Sequence, residues 1–202
     1  LLADKEFTFS NLLDTYMQWD AKNYFRIATG GYSFYVENGE FPTLAFFPLY
    51  PWIIKAMNIF VQDMTLSGLI VSFLAYSGAC SYMYKLMSLD YNKQAAIRAI
   101  VFMSVYPHAL FFGTMMNESM LLFTSMATLY YIRRHDWVKA GVFGALASMS
   151  RLAGIMLIIP AAVEWIEHYE IISLLRRKSF SEVWQLIYKK ALWIMEQYND
   201  NL

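Results

Sequence analysis

Charge is scarce in this 202-residue chain, where Asp, Glu, Lys and Arg make up 16% of residues against roughly 25% in an average soluble domain. What charge there is cancels, 16 basic residues against 16 acidic ones. There is therefore no basic field to hold nucleic acid, and no acidic block of the kind found in disordered tails. Cysteine is nearly absent. Cys80 alone builds neither a disulfide framework nor a thiolate metal cluster, and it lies inside an apolar run where a small buried residue is the ordinary role. A glycine-rich nucleotide loop and internal repeats are also missing. The first residues, Leu1-Leu2-Ala3, include no initiator Met and too few apolar side chains for a signal peptide, so the chain is expected to be a piece of a longer protein. Apolar and aromatic residues are abundant, at 58% and 18% with 13 Met. That balance predicts an integral membrane protein, its partners including membrane lipids and excluding nucleic acid.

Gaps between charges locate the elements, because an ionisable side chain at the bilayer centre costs roughly 2.5–3.5 kcal/mol. Between Asp63 and Lys85 lie 21 uncharged residues, and between Arg98 and Glu118 another 19, each near the roughly 20 that a helix needs to span the hydrocarbon. Shorter uncharged windows cover 119–132, 140–150 and 152–163. If the 64–84 helix runs from outside to inside and its successors alternate, Lys85, Lys93, Arg98, Arg133, Arg134, Lys139, Arg176, Arg177 and Lys178 all fall inside, as the positive-inside rule requires. Arg151 is the exception, at the outer end of a span. The segment 44–61 is apolar but holds Pro48, Pro51 and Lys55, and reads as an interfacial or re-entrant helix. Leu12 to Ile27 looks helical and half-polar, with turns following at Gly30-Gly31, Gly39 and Pro42. The expected fold is all-α and polytopic, with about five spanning or near-spanning helices plus interfacial ones. Its regions are an outer loop region over 1–62, a helical bundle over 63–168 and an inner amphipathic tail over 169–202.

Function is then to be sought on the outer side. The strongest local pattern there is Trp19-Asp20-x-x-x-Tyr24-x-x-Ile27-Ala28-x-x-Gly31-Tyr32, followed by Ala45-Phe46-Phe47-Pro48-Leu49-Tyr50-Pro51. An aromatic interfacial loop with one solvated Asp would explain it. Asp20 and Tyr24 nevertheless share a helical face, and a carboxylate beside aromatic rings at a water–lipid boundary is partly desolvated, which suits a general base. His108 follows Pro107 in an apolar window and reads as packing; His135 and His168 fall on the inner side. No His or Cys pair has ligand spacing, and only Asp20, Glu37, Glu40 and Glu118 offer outer oxygens. A divalent ion is thus compatible with the sequence but not indicated, and no cofactor is expected.

These motifs, with Tyr106-Pro107-x-x-x-Phe111-Phe112, Asn117-Glu118-Ser119 and Ser150-Arg151-x-x-Gly154 after them, resemble the GPI mannosyltransferase 2 (PIG-V-like) group of membrane glycosyltransferases with the GT-C fold. The likeness covers roughly residues 16 to 165. It implies transfer of mannose from a polyprenyl-phosphate donor, such as dolichyl-phosphate mannose, to a hydroxyl of a lipid-linked glycan or similar acceptor at the outer or luminal face of a bacterial inner membrane or endoplasmic reticulum. The acidic residue of the first outer loop serves that reaction in such enzymes, and Asp20 holds the matching position. Trp19, Tyr24, Tyr50, Asn117 and Glu118 are then expected to bind substrate. Arg151 either snorkels to the headgroups or grips the donor phosphate with its planar fork. Glu118 is a solvated loop acid, a helix cap near Ser119, or a residue that positions the acceptor hydroxyl or the sugar. Asn117 departs from the group, whose members usually carry Tyr-Thr or Tyr-Ser before that Glu.

Two rivals remain open on the residues alone. A transporter would carry its charges near mid-helix, whereas here they lie at helix ends apart from Lys55. A non-enzymatic subunit of a membrane complex would need none of the outer polar residues.

Overall fold

The computed structural model describes residues 19–32, 42–169 and 188–189. The turn expected at Gly39, the residues Glu37 and Glu40, the inner cations Arg176, Arg177 and Lys178, and nearly all of the tail over 169–202 lie outside the described residues. Among the described residues every regular element is helical: α1 (Ala21–Gly30), α2 (Leu49–Val61), α3 (Met64–Asp90), α4 (Lys93–Val105), α5 (Glu118–Arg133), α6 (Trp137–Ser150) and α7 (Ile158–His168). Short 3₁₀ segments precede α2 (Pro42–Ala45), follow α4 (Pro107–Gly113) and follow α6 (Leu152–Leu157). The chain divides into two compact units, 1–158 and 159–202. In the second, α7 carries Trp165 and His168, whose rings lie 5.5 and 4.7 Å from that of Tyr169.

Helix starts follow from short polar side chains. Asp63 accepts a hydrogen bond from the Leu66 amide at 2.8 Å, Asn92 from Ala95 at 2.9 Å and Asp136 from Lys139 at 3.2 Å, each satisfying a backbone donor that the first turn leaves open. Gln62 closes α2 in the left-handed region, with φ of 59°. Two residues, Gln62 and Asp63, therefore suffice to turn the chain from α2 into α3.

Packing within the first unit inverts the soluble pattern. The buried face of α3 is Ser67, Gly68, Val71, Ser72, Ala75 and Ala79, while Phe73 and Leu74 are exposed. Small residues let backbones approach closely. A methyl group at Gly68 would lie 2.5 Å from Met115 Cγ, and one at Gly78 would lie 2.7 Å from the Phe123 ring. α2, α4 and α5 all pack on α3, and α6 packs on α5. α4 buries only Ala96 and exposes Phe102 and Val105.

The expected spans are corrected in part. Helices form over the 64–84, 119–132 and 140–150 windows, but the 99–117 window is not one helix. Pro107 lacks an amide N–H and drives the preceding Tyr106 to extended backbone (φ −61°, ψ 139°), so α4 stops at Val105 and the chain bends by 85° into Pro107–Gly113. The 152–163 window is likewise split, between a 3₁₀ segment and α7. Only α3 is long and apolar enough to cross a membrane among the described residues, with the bent pair as a second if it counts as one span. At 16 and 14 residues, α5 and α6 reach about 24 and 21 Å, short of a hydrocarbon core of about 30 Å.

The bent connection still returns the chain to the end where α3 began. Tyr76 meets Ser104 at 2.6 Å and stacks on Phe112 at 5.1 Å, and residues 115–116 reach Gly68 and Ser72 near the start of α3. At the other end Arg133, closing α5, pairs with Asp90, closing α3. α3 and α5 thus run side by side in the same direction, and Glu118 starts where α3 starts.

Candidate functional site

At the end of the bundle where α3 begins, three stretches of the first unit converge: the start of α1, the 114–118 loop and the 150–151 junction. Trp19 holds φ of 49°, a left-handed conformation that strains a bulky residue by about 1–3 kcal/mol. Its exposed ring stands edge-on to Phe111 at 5.7 Å. Asp20 follows as the residue before α1. Its carbonyl takes the amides of Asn23 and Tyr24, while its half-buried carboxylate makes no capping bond. The side chain is thus left to the surface of the site rather than to the helix.

Tyr24 is buried, its ring 5.1 Å from Phe46 and 5.1 Å from Tyr50, edge-on to both. Burial is the main reason its hydroxyl is harder to ionise than a free tyrosine; the negative charges of Glu118 and Asp20 act the same way, and Arg151 and a hydrogen bond with Asn117 oppose them. Tyr24 is therefore a neutral donor at physiological pH, standing in the fields of Asp20, Glu118 and Arg151 together. Tyr50, wholly buried, meets Ser72 Oγ at 2.6 Å and lies 3.2 Å from the Gly68 carbonyl. Ser72 in turn reaches the Met116 carbonyl at 3.5 Å, which fixes the loop that carries Asn117.

Asn117 is 1% exposed. It precedes α5 without capping it; its amide donates instead to the Ser150 carbonyl, clasping the start of α5 to the end of α6. Ser119 donates to the Phe112 carbonyl at 2.8 Å, so its hydroxyl does not cap α5, which begins one residue earlier at Glu118. Glu118 opens α5, and its Oε1 lies 2.9 Å from Arg151 Nη1. Arg151 makes this one side-chain hydrogen bond among the described residues, and its side chain is 46% exposed. The rest of its fork is open.

Gly154 explains why Arg151 stands there. Its amide bonds back to the Arg151 carbonyl at 2.8 Å, and a Cβ on it would lie 2.2 Å from the Ala147 carbonyl carbon. Only glycine lets the 3₁₀ segment fold this closely onto the last turn of α6. The spacing Ser150-Arg151-x-x-Gly154 is thus a backbone reversal that presents residue 151 beside residue 118.

Of the residues singled out in the sequence, Asp20, Tyr24, Tyr50, Asn117, Glu118 and Arg151 gather here, with Trp19 attached through Phe111. His108 does not belong; it is exposed between the rings of Tyr106 and Phe111. Sequence reasoning missed Ser72 and Met115, both buried supports of the cluster, and gave no role to Met116 or Ser150, which are buried beside them. Ser150 was legible as the neighbour of Arg151, and Ser67-Gly68 with Ser72 as small residues at helical spacing. Among the described residues no three His, Cys, Asp or Glu side chains lie together as metal ligands would.

A family model for dolichyl-phosphate-mannose-protein mannosyltransferase matches residues 43–195, about three quarters of the chain. The chain belongs to this family. It is accordingly a membrane glycosyltransferase of mannosyltransferase type, and a polyprenyl-phosphate sugar is the donor that the family implies. Tyr50, Asn117, Glu118 and Arg151 lie inside the matched range, whereas Trp19, Asp20 and Tyr24 precede it. No curated protein and no solved structure matches the chain.

Proposed function

We propose that this protein is a polytopic GT-C-type mannosyltransferase that transfers mannose from a polyprenyl-phosphate carrier to a hydroxyl of a lipid-linked glycan or similar acceptor, at the outer or luminal face, in the manner of the GPI mannosyltransferase 2 group. The observation that carries the reading is Arg151, whose fork uses one N–H on Glu118 and is otherwise open, at the end of the bundle where the charges of Asp20 and Glu118 also act on buried Tyr24. The donor's isoprenoid tail stays in the bilayer, so its phosphate and sugar are presented at the boundary. The outward-facing Phe73, Leu74, Phe102 and Val105 are what helices surrounded by lipid expose.

In the reaction, an acceptor hydroxyl attacks the anomeric carbon while Asp20 takes its proton. The bond from that carbon to the phosphate oxygen breaks, and its electron pair leaves with the lipid phosphate. Arg151 stabilises the charge that develops on that oxygen. Tyr24, neutral and buried, is a donor to the sugar rather than a rival base. Tyr50 and Trp19 supply aromatic surface for the sugar and its lipid, and Asn117 holds the two helix ends that carry Glu118 and Arg151. The reading needs no bound cofactor.

The test is transfer of radiolabelled mannose from a synthetic polyprenyl-phosphate mannose by the full-length enzyme in membranes. Lipid-linked product from the parent and none from Asp20→Asn supports the reading; equal product from both removes the base. Topology is tested separately. Cysteines at 20 and 134 should be labelled from opposite sides of intact cells, and labelling from one side overturns the arrangement.

A further inference from the structure

Arg151 does not face the site alone. Glu118 Oε1 sits 2.9 Å from its Nη1, the pairing uses a single N–H of the five that the fork carries, and Asp20 stands at the same end of the bundle. That pairing is built into the fold: the Asn117 amide donates to the Ser150 carbonyl, clasping the start of α5, which carries Glu118, to the end of α6, which leads into Arg151. A bare guanidinium binds a doubly charged phosphate better than a singly charged one, because attraction grows with charge. A guanidinium already paired with a carboxylate has lost much of that preference, because the carboxylate repels the second charge of the ligand as the cation attracts it.

We propose that Glu118 is a specificity-determining residue that sets the charge state of the phosphate held by Arg151, retaining a singly charged phosphodiester and releasing a doubly charged phosphomonoester. The inference rests on the donor-phosphate reading of Arg151 and goes beyond it. A polyprenyl-phosphate sugar is a diester with one negative charge. The polyprenyl phosphate left after transfer is a monoester, carrying about −1.5 to −2 near neutral pH because its second pKa is about 6. The same carboxylate that tolerates the donor therefore expels the spent carrier, and Glu118 acts on turnover without touching the sugar. Repulsion from one fixed carboxylate is proportional to the ligand's charge, so removing it tightens the dianion by about the square of the factor for the monoanion. For half-exposed groups that factor is on the order of 3, making the square about 10.

The experiment measures direct binding at pH 8 to the full-length protein in lipid nanodiscs, with farnesyl phosphate as the monoester and its methyl ester as the diester, so that charge is the principal difference between the probes. The parent should hold the methyl ester at least as tightly as farnesyl phosphate. Glu118→Gln should bind farnesyl phosphate about 10-fold tighter and the methyl ester about 3-fold tighter, and its mannose transfer should become more sensitive to added farnesyl phosphate. Glu118→Asp, which keeps the charge, should retain the parent's order of preference. Equal tightening of both probes, or weakening of both, in a folded Gln variant overturns the inference. So does a parent that prefers the monoester tenfold, a result that does not depend on any variant folding. Arg151→Ala separates the two levels: loss of both probes upholds the donor-phosphate reading, whereas unchanged binding removes that reading whatever Glu118 does.

Discussion

The two ends of the bundle are built from similar side chains and arranged to different purposes. Where α3 begins, one ion pair, Arg151 with Glu118, stands over buried Asn117, Tyr24 and Tyr50, and polar side chains join separate segments: Asn117 to Ser150, Tyr50 to Ser72, Ser72 to the 116 carbonyl. Where α3 ends, Tyr82 sits among Phe123, Tyr130, Tyr131 and Phe143 with ring centres 5.7–5.9 Å away. Lys85 lies 4.8 Å over Tyr82, Lys139 lies 5.4 Å over Tyr131, and the Arg133–Asp90 pair is nearly half exposed on both sides. The second arrangement is an aromatic belt with cations, the decoration of a bilayer boundary. At the first, charge is held against buried polar groups, so changing one residue alters its neighbours' energies as well as its own.

That contrast is open to direct attack, and the largest effect should come from Asp20. Asp20→Asn keeps the shape of the side chain but cannot take a proton, so transfer should fall about 10²–10⁴-fold with expression unchanged; full activity would leave the family match as the support for an enzyme. Next comes Arg151→Ala, for which a loss of about 10²-fold is expected from removing one preorganised charge at the leaving oxygen. Arg151→Lys should recover little of it, since a point charge does not reproduce a fork. If both kept the parent's rate and donor affinity, Arg151 would be a residue that only snorkels to the headgroups. Gly154→Ala should destabilise by roughly 1–3 kcal/mol through overpacking, read as a lowered unfolding temperature in detergent. An unshifted transition would mean that the close approach to Ala147 is not maintained. The smallest effect belongs to the opposite end: Arg133→Gln should cost under about 1 kcal/mol, as exposed pairs do, and should leave transfer untouched. A large loss of activity there would erase the distinction between the ends.

Much of this site could be read before any coordinates, and the reason is that its parts sit in short motifs. Asp20 and Tyr24 are four apart, Asn117 and Glu118 adjacent, and Ser150-Arg151-x-x-Gly154 contiguous. What could not be read was the pairing between motifs. The residues leave Glu118 as a loop acid, a helix cap or a substrate-positioning acid; its partner lies 33 residues away, and nothing local announces it. Span lengths failed for a related reason. A charge-free window reports hydropathy, whereas continuity of a helix depends on single backbone groups, and Pro107 inside the 99–117 window outweighs its apolar neighbours. Ser72 escaped notice because a lone serine in a helix has no distinguishing chemistry until its neighbours are known.

The reversal at Gly154 has one more consequence. Because the turn is shaped by main chain against main chain, the point in space occupied by residue 151 does not depend on what that residue is. Any side chain installed there is delivered to the same place beside the start of α5. The geometry thus behaves as a fixed socket, and a change of one codon can replace the fitting without rebuilding the mount. An enzyme organised this way can drift in the charge it offers its ligand while the architecture underneath stays constant.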